Sequence, residues 1–141
     1  MWQKTFSKIY PGLKKEEVLS VWADVANWPK WDVELEYCKM KDPFSEGSAF
    51  ILKPKSGPKV KIVLTEVVHN QGFTNYCKFP GATMVVAHTL EEAPEGLRIT
   101  HIITVKGFLG FFWVKLVAKN VAAAVPETTE NLVNFVRSKK L

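Results

Sequence analysis

A chain of 141 residues with 47% hydrophobic and 23% charged content has the make-up of one ordinary globule, able to bury about two-thirds of its unfolded surface. The formal charge of +5 is moderate, and the basic residues do not interleave with aromatics as on stacking platforms, which argues against nucleic acid as a partner. Five tryptophans and nine phenylalanines are a heavy aromatic load, suited to filling a core or lining a pocket for an apolar guest.

The opening residues Met-Trp-Gln-Lys-Thr-Phe lack the apolar run of a signal peptide. A first strand is expected over Lys4–Tyr10, ended by Pro11-Gly12. Lys14–Val25 then follows a helical pattern, with Val18, Leu19, Trp22 and Val25 on one face and Glu16 and Glu17 where the helix dipole favours them. Asn27-Trp-Pro-Lys-Trp-Asp32 makes a corner or second short helix, and there burying Trp28 and Trp31 at the helix junction is the simplest use for them. Six strands follow at Glu34–Lys41, Gly47–Pro54, Lys59–Val68, Gly72–Phe79, Thr83–Glu91 and Leu97–Lys106, separated by turns rich in proline and glycine.

The last element is a long helix over Phe111–Lys139. Pro126 should kink it or leave one carbonyl unpaired. Trp113, Val117, Asn120 and Ala124 share a face before the proline, and Leu132, Phe135 and Val136 share one after it. Such a stripe needs a sheet to lie on, so the expectation is an α+β domain spanning residues 1–141, with a curved seven-stranded antiparallel sheet around the long C-terminal helix and two short helices after the first strand. The greasy region from Phe108 to Val125 is broken by Lys115, Lys119 and Asn120 and is too polar to span a bilayer, so a cytoplasmic protein is expected.

Cys38 and Cys77 fall in separate strands without metal-type spacing and read as reduced, structural thiols. Lys39, Lys41, Lys53, Lys55, Lys59 and Lys61 crowd three strands, and Arg137, Lys139 and Lys140 close the chain. A solvated face explains them; attraction to anionic lipid heads or acidic ligands is the sharper alternative.

Across this layout the sequence resembles the SRPBCC or START/Bet v1-like superfamily with its helix-grip fold, and within it the polyketide cyclase/dehydrase-like branch. The resemblance rests on Val21-Trp-Ala-Asp-Val-Ala-Asn-Trp-Pro-Lys-Trp-Asp32, Gly47-Ser-Ala-Phe-Ile-Leu-Lys-Pro-Lys55 and Leu64-Thr-Glu-Val67. It continues through Phe79-Pro-Gly-Ala-Thr-Met84, Gly96-Leu-Arg-Ile-Thr-His101 and the proline-containing final helix. These segments span nearly the whole chain in family order. The resemblance implies space between sheet and helix, and small-ligand binding more than any one reaction.

The residues that would address such a ligand come from turn arithmetic. Pairing Leu90 with Ile99 across the Glu-Glu-Ala-Pro-Glu-Gly turn sets His88 opposite His101, both on the inner face. Pairing Phe79 with Met84 places Asn75 beside His88, and pairing Ile62 with Phe79 places Glu66 beside Asn75. Glu66, Asn75, His88 and His101 would form one polar row, unless a bulge turned one strand over. A neutral imidazole both donates and accepts, so the pair suits a hydroxyl or ketone on an otherwise apolar molecule.

The expected activity is therefore binding of a lipid, polyketide or aromatic metabolite. Phe50, Leu52, Leu64, Phe79, Met84, Val86, Ile103 and Val117 serve as walls, and His88, His101 and Asn75 orient a polar group. An alternative is a cyclase or dehydratase using His88 and His101 as acid and base with Glu66 as orienter. Another is a lipid or quinone carrier docking on membranes through its lysines and the Phe108–Val114 patch. A third metal ligand for the histidines is missing, since His69 lies in a turn, so neither metal nor cofactor is expected. A filled core in which the histidines satisfy one another is the competing structural reading.

Overall fold

The computed structural model describes residues 1–139, so Lys140 of the C-terminal basic group lies outside the described residues. Its strands are β1 (Trp2–Tyr10), β2 (Leu35–Lys39), β3 (Ala49–Pro54), β4 (Val60–Val68), β5 (Gly72–Phe79), β6 (Ala82–Ala93) and β7 (Gly96–Lys106). Between β1 and β2 lie helix α1 (Lys15–Ala23) and a 3-10 helix (Val25–Lys30). The strands form one antiparallel sheet in the order β1-β7-β6-β5-β4-β3-β2. Consecutive strands from β2 to β7 pair as hairpins, while β1 closes onto β7 from Trp2–Val105 to Tyr10–Leu97. This is the α+β arrangement expected from the sequence.

Helix α1 starts where the backbone N–H of Lys14 donates to the Glu17 carboxylate at 2.8 Å. Its face Val18, Val21 and Trp22 is buried, and Val25 and Trp28 continue that apolar surface into the 3-10 helix. The Trp28 indole N–H donates to the Trp22 carbonyl at 3.0 Å, which locks the junction. Trp22, Trp28 and Trp31 all pack into the core. A tryptophan side chain buries a large apolar area, so these three anchor the short helices more firmly than helix propensity would.

The terminal helix is α-helical over α2 (Gly110–Trp113), π-helical over Val114–Ala118 and α-helical again over α3 (Lys119–Ser138). The π turn changes which residues face inward. Val114 and Ala118 are buried, Val117 is half-buried, and Asn120 is exposed, so the stripe expected through Trp113, Val117 and Asn120 is rotated. After Pro126 the expected Leu132 and Val136 do face inward, joined by Thr129 and Val133. The helix continues through Pro126, and proline has no N–H to offer the Ala122 carbonyl one turn back. Lys8 and Tyr10 of β1 hold Glu130 at 2.6 and 3.3 Å, and the Arg137 guanidinium donates to the Pro11 carbonyl at 2.8 Å. These bonds tie the second half of α3 to the strand at the sheet edge.

Two of the expected registers shift. Pro80-Gly81 is a two-residue hairpin loop with Gly81 at φ 73°, so Phe79 pairs with Ala82 rather than Met84. Asn75 therefore faces Val86, and Phe73 takes the place beside His88. Between β4 and β5 the register breaks at Leu64/Glu66, with Leu64 opposite Asn75 and Glu66 opposite Thr74. The bulge turns Glu66 outward, where it is exposed. The four-residue polar row does not form.

Gly72 starts β5 at φ 141°, and a Cβ there would lie 1.9 Å from the His88 carbonyl oxygen. Both the conformation and the close approach require glycine. Gly72→Ala should lower stability by about 2 kcal/mol or more, read as a drop in the urea midpoint. An unchanged midpoint would show that β5 and β6 do not approach this closely.

Candidate functional site

His88 and His101 are directly opposed in the β6–β7 ladder, as the hairpin pattern requires. Their ring centroids are 4.9 Å apart in an edge-to-face arrangement. Both are half-buried on the inner face, under Trp22, whose ring meets His88 at 5.6 Å and His101 at 6.2 Å. Trp22 thus comes down from α1 onto the two strands and seals the pair.

The two imidazoles then differ. His88 stacks on Phe73 at 4.0 Å, nearly parallel. Its Nδ1–H donates to the Phe73 carbonyl at 3.3 Å, which fixes the neutral tautomer with the proton on Nδ1. His101 has no comparable partner: its Nδ1 is buried and makes no hydrogen bond among the described residues. A buried nitrogen without a partner costs about 1–3 kcal/mol and calls for a water or a guest. Burial, then the neighbouring His101, holds the His88 pKa well below 6.5, against a small opposing effect of the Phe73 carbonyl. Burial alone brings His101 down to about 4. At neutral pH both rings are uncharged.

His101 borders a cleft of about 70 Å³ at the seam between β1, β7 and α3, lined also by Lys4, Phe6, Ile103, Ala122, Val125 and Pro126. Phe6 is the β1 residue paired with His101, and Lys4 is paired with Ile103. Ala122 leaves room where a larger residue would fill the seam. The carbonyl that Pro126 deprives of its helical donor belongs to that same Ala122. Lys4 lies at the rim and has no carboxylate partner among the described residues, whereas Lys8, one turn of the pleat away, is neutralised by Glu130 at 2.6 Å.

Of the residues expected to wall a pocket, Ile103 reaches this cleft. Phe50, Leu64 and Met84 are buried in the core, and Trp28 packs edge-on against Phe50 at 5.2 Å. Phe79 stacks on Trp113 at 4.5 Å, which closes the end of the sheet beneath α2. Leu52 and Val86 are half-buried against the core, and Val117 is half-buried within the π turn. Asn75 is buried on the inner face between Leu64 and Val86. The β1 and α3 linings were missed from sequence, since no turn connects β1 to β7. The available signal was Phe6 at an alternating position of an edge strand. No group of three metal-ligating side chains occurs among the described residues.

The seven-stranded antiparallel sheet against a long terminal helix is an architecture shared with solved proteins. The hypothetical protein jhp0584 from Helicobacter pylori aligns over 96% of this chain and 88% of its own, with a TM-score of 0.77 at 14% identity. The di-domain ARO/CYC StfQ from the steffimycin biosynthetic pathway aligns over 98% of this chain at a TM-score of 0.80 and 8% identity, and the chain spans 51% of that protein. Norcoclaurine synthase from Thalictrum flavum, solved with dopamine and hydroxybenzaldehyde, aligns over 97% of this chain and 88% of its own, at a TM-score of 0.70 and 10% identity. At these identities the likeness is one of fold, and the fold is the Bet v1-like helix-grip fold. No protein-family model matches the sequence, and no curated protein matches it.

The depressed histidine pKa values make stability depend on pH. The unfolded chain protonates its histidines near 6.5, whereas folded His101 stays neutral down to about 4. The unfolded state therefore binds the extra protons, so this stabilisation is complete above pH 6.5 and is lost as pH falls towards 4. His101 alone accounts for about 3 kcal/mol over that window. His101→Leu should flatten the dependence of the urea midpoint on pH between those limits. A slope equal to that of the parent chain would mean that the imidazole is not held neutral.

Proposed function

We propose that the chain binds a small, mostly apolar molecule carrying one hydroxyl or carbonyl, held at the seam of β1, β7 and α3 with its polar group on His101. The unpartnered Nδ1 of His101 beside an apolar cleft carries this reading. Ile103, Val125 and Phe6 supply apolar contact, and the neutral imidazole supplies one donor and one acceptor. Lys4 at the rim favours a guest whose outer end is anionic or strongly polar. Asn75, buried on the same inner face, offers a second polar contact to a guest that reaches deeper.

Ligand chemistry among the helix-grip neighbours supports the class of guest, since norcoclaurine synthase was solved with two small phenolic compounds. The cleft of about 70 Å³ is smaller than the roughly 150 Å³ that a benzene-sized guest fills. A ring-bearing ligand would therefore push the Ala122–Pro126 stretch outward, where the missing hydrogen bond at Pro126 already loosens the helix. Acid/base catalysis by the pair gains less support. Glu66 is exposed on the other face and cannot orient either ring, and an imidazole with a pKa of about 4 is a weak base at neutral pH.

A matched pair of probes, 2-naphthol and naphthalene, tests the reading by titration calorimetry. His101→Leu should weaken 2-naphthol by about 1–3 kcal/mol and leave naphthalene nearly unchanged. Ala122→Phe should exclude both while the chain stays folded. Equal loss of the two probes in His101→Leu, or binding that ignores Ala122→Phe, would place the ligand elsewhere.

A further inference from the structure

Among the described residues, four of the six large apolar side chains that stand exposed lie within nine residues: Phe108 at 83%, Phe111 at 76%, Phe112 at 47% and Leu116 at 54%. The segment is held firmly. The Leu109 N–H donates to the Gly81 carbonyl at 3.0 Å, the Trp113 indole N–H donates to the Pro80 carbonyl at 2.8 Å, and Trp113 stacks on Phe79. A Cβ on Gly107 would come within 2.4 Å of the Gly81 carbonyl oxygen, so the two loops touch backbone to backbone. The fold turns Trp113 inward and fixes the three phenylalanines outward. The π turn that follows carries Lys115 and Leu116 outward as well. A rigid apolar patch of this kind marks a binding surface, because water gains nothing from it.

Charge selects the occupant. From Gly96 to Pro126 the sequence contains no aspartate or glutamate, while Lys106, Lys115 and Lys119 stand exposed around the patch. The registers place the start of β1, the end of β5 and the β3–β4 connection with Lys55 and Lys59 at this same end of the sheet. The opposite end is mixed in charge: Glu16, Glu91, Glu92 and Glu95 lie among Lys14, Lys15, Arg98 and Arg137, and Asp42 and Glu46 of the β2–β3 connection lie near Lys39 and Lys41. The remaining carboxylates of the basic end lie at the far sheet edge, where Glu36 pairs with Lys53 at 3.1 Å. One end of the molecule is thus apolar and cationic, and the other carries charges of both signs.

We infer that the end built from the β7–α2 loop, α2 and the π turn is a docking surface for an anionic lipid bilayer. Phe108, Phe111 and Phe112 would enter the level of the lipid headgroups, and Lys106, Lys115 and Lys119 would meet the phosphates. The end of mixed charge would then point away from the bilayer, which orients the molecule. This surface does not depend on the ligand reading above, and the cleft-lining residues take no part in it except through their nearness along α3.

Flotation of the full chain with phosphatidylcholine vesicles, with and without a quarter of phosphatidylglycerol, tests the inference. Association is expected with the anionic vesicles, weakening steeply as salt rises. The pair Phe108→Ser and Phe111→Ser should reduce partitioning by about tenfold or more, with the melting temperature unchanged because both rings are exposed. Lys115→Glu with Lys119→Glu should reduce it by roughly fivefold or more per lysine and spare any residual binding to neutral vesicles. Absence of flotation with either vesicle overturns the inference. So does binding that survives both pairs of changes, or a lipid-free dimer that Phe108→Ser and Phe111→Ser convert to a monomer, since the patch would then serve a second copy of the chain.

Discussion

The antiparallel ladder that runs from Thr83–Lys106 to Ala93–Gly96 carries the rest of the molecule. It joins the strands that bear the two histidines, and both of its outer edges are occupied, by β1 on one side and β5 on the other. Because side chains alternate along a strand, its register alone decides that both imidazoles face inward. Trp22 then has a polar pair to cover, and His101 is delivered to the edge where β1 and α3 meet. A slip of one residue would send both histidines to the outer face and leave the inner one without any imidazole.

Burial of the pair is tolerated because neither ring is charged. His88 meets its needs through the Phe73 carbonyl and gives its faces to Phe73 and Trp22. His101 keeps one buried nitrogen without a partner among the described residues. The same asymmetry separates the two halves of the terminal helix. Beyond Pro126, α3 is bonded to β1 through Glu130 and to the β1–α1 loop through Arg137. Before it, the small side chain of Ala122 faces the cleft. The rigid part of the helix and the part with room beneath it are adjacent, and proline marks the change.

The fold was legible because alternation, turn residues and one long amphipathic segment all pointed to it. The β6–β7 pairing could be read outright, since the turn is bounded by long, strictly alternating strands. The Pro80-Gly81 loop closes two residues tighter than a longer turn would, which moved Asn75 from His88 to Val86. A bulge leaves no mark on apolar alternation shorter than itself, so the outward turn of Glu66 could be named as a hazard but not located. The π turn at Val114–Ala118 likewise shifts a helical face without any proline or glycine to announce it. The cleft depends on β1 meeting β7 and α3 over a long sequence separation, beyond the reach of turn arithmetic.

Cys38 and Cys77 are free and buried, on the second-to-last pairing at one side of the sheet and near its centre. Burial raises their thiols, with Asp32 adding to the effect at Cys38, to about 12 and about 11. Practically no thiolate exists on either at neutral pH, and a thiol-directed reagent must wait for the surrounding strands to part. Alkylation at each cysteine is therefore a clock set by a different motion: fraying of the β2 edge for Cys38, and separation of β5 from its neighbours for Cys77. The chain carries two native chemical timers, and the ratio of their rates measures how cooperatively the sheet opens.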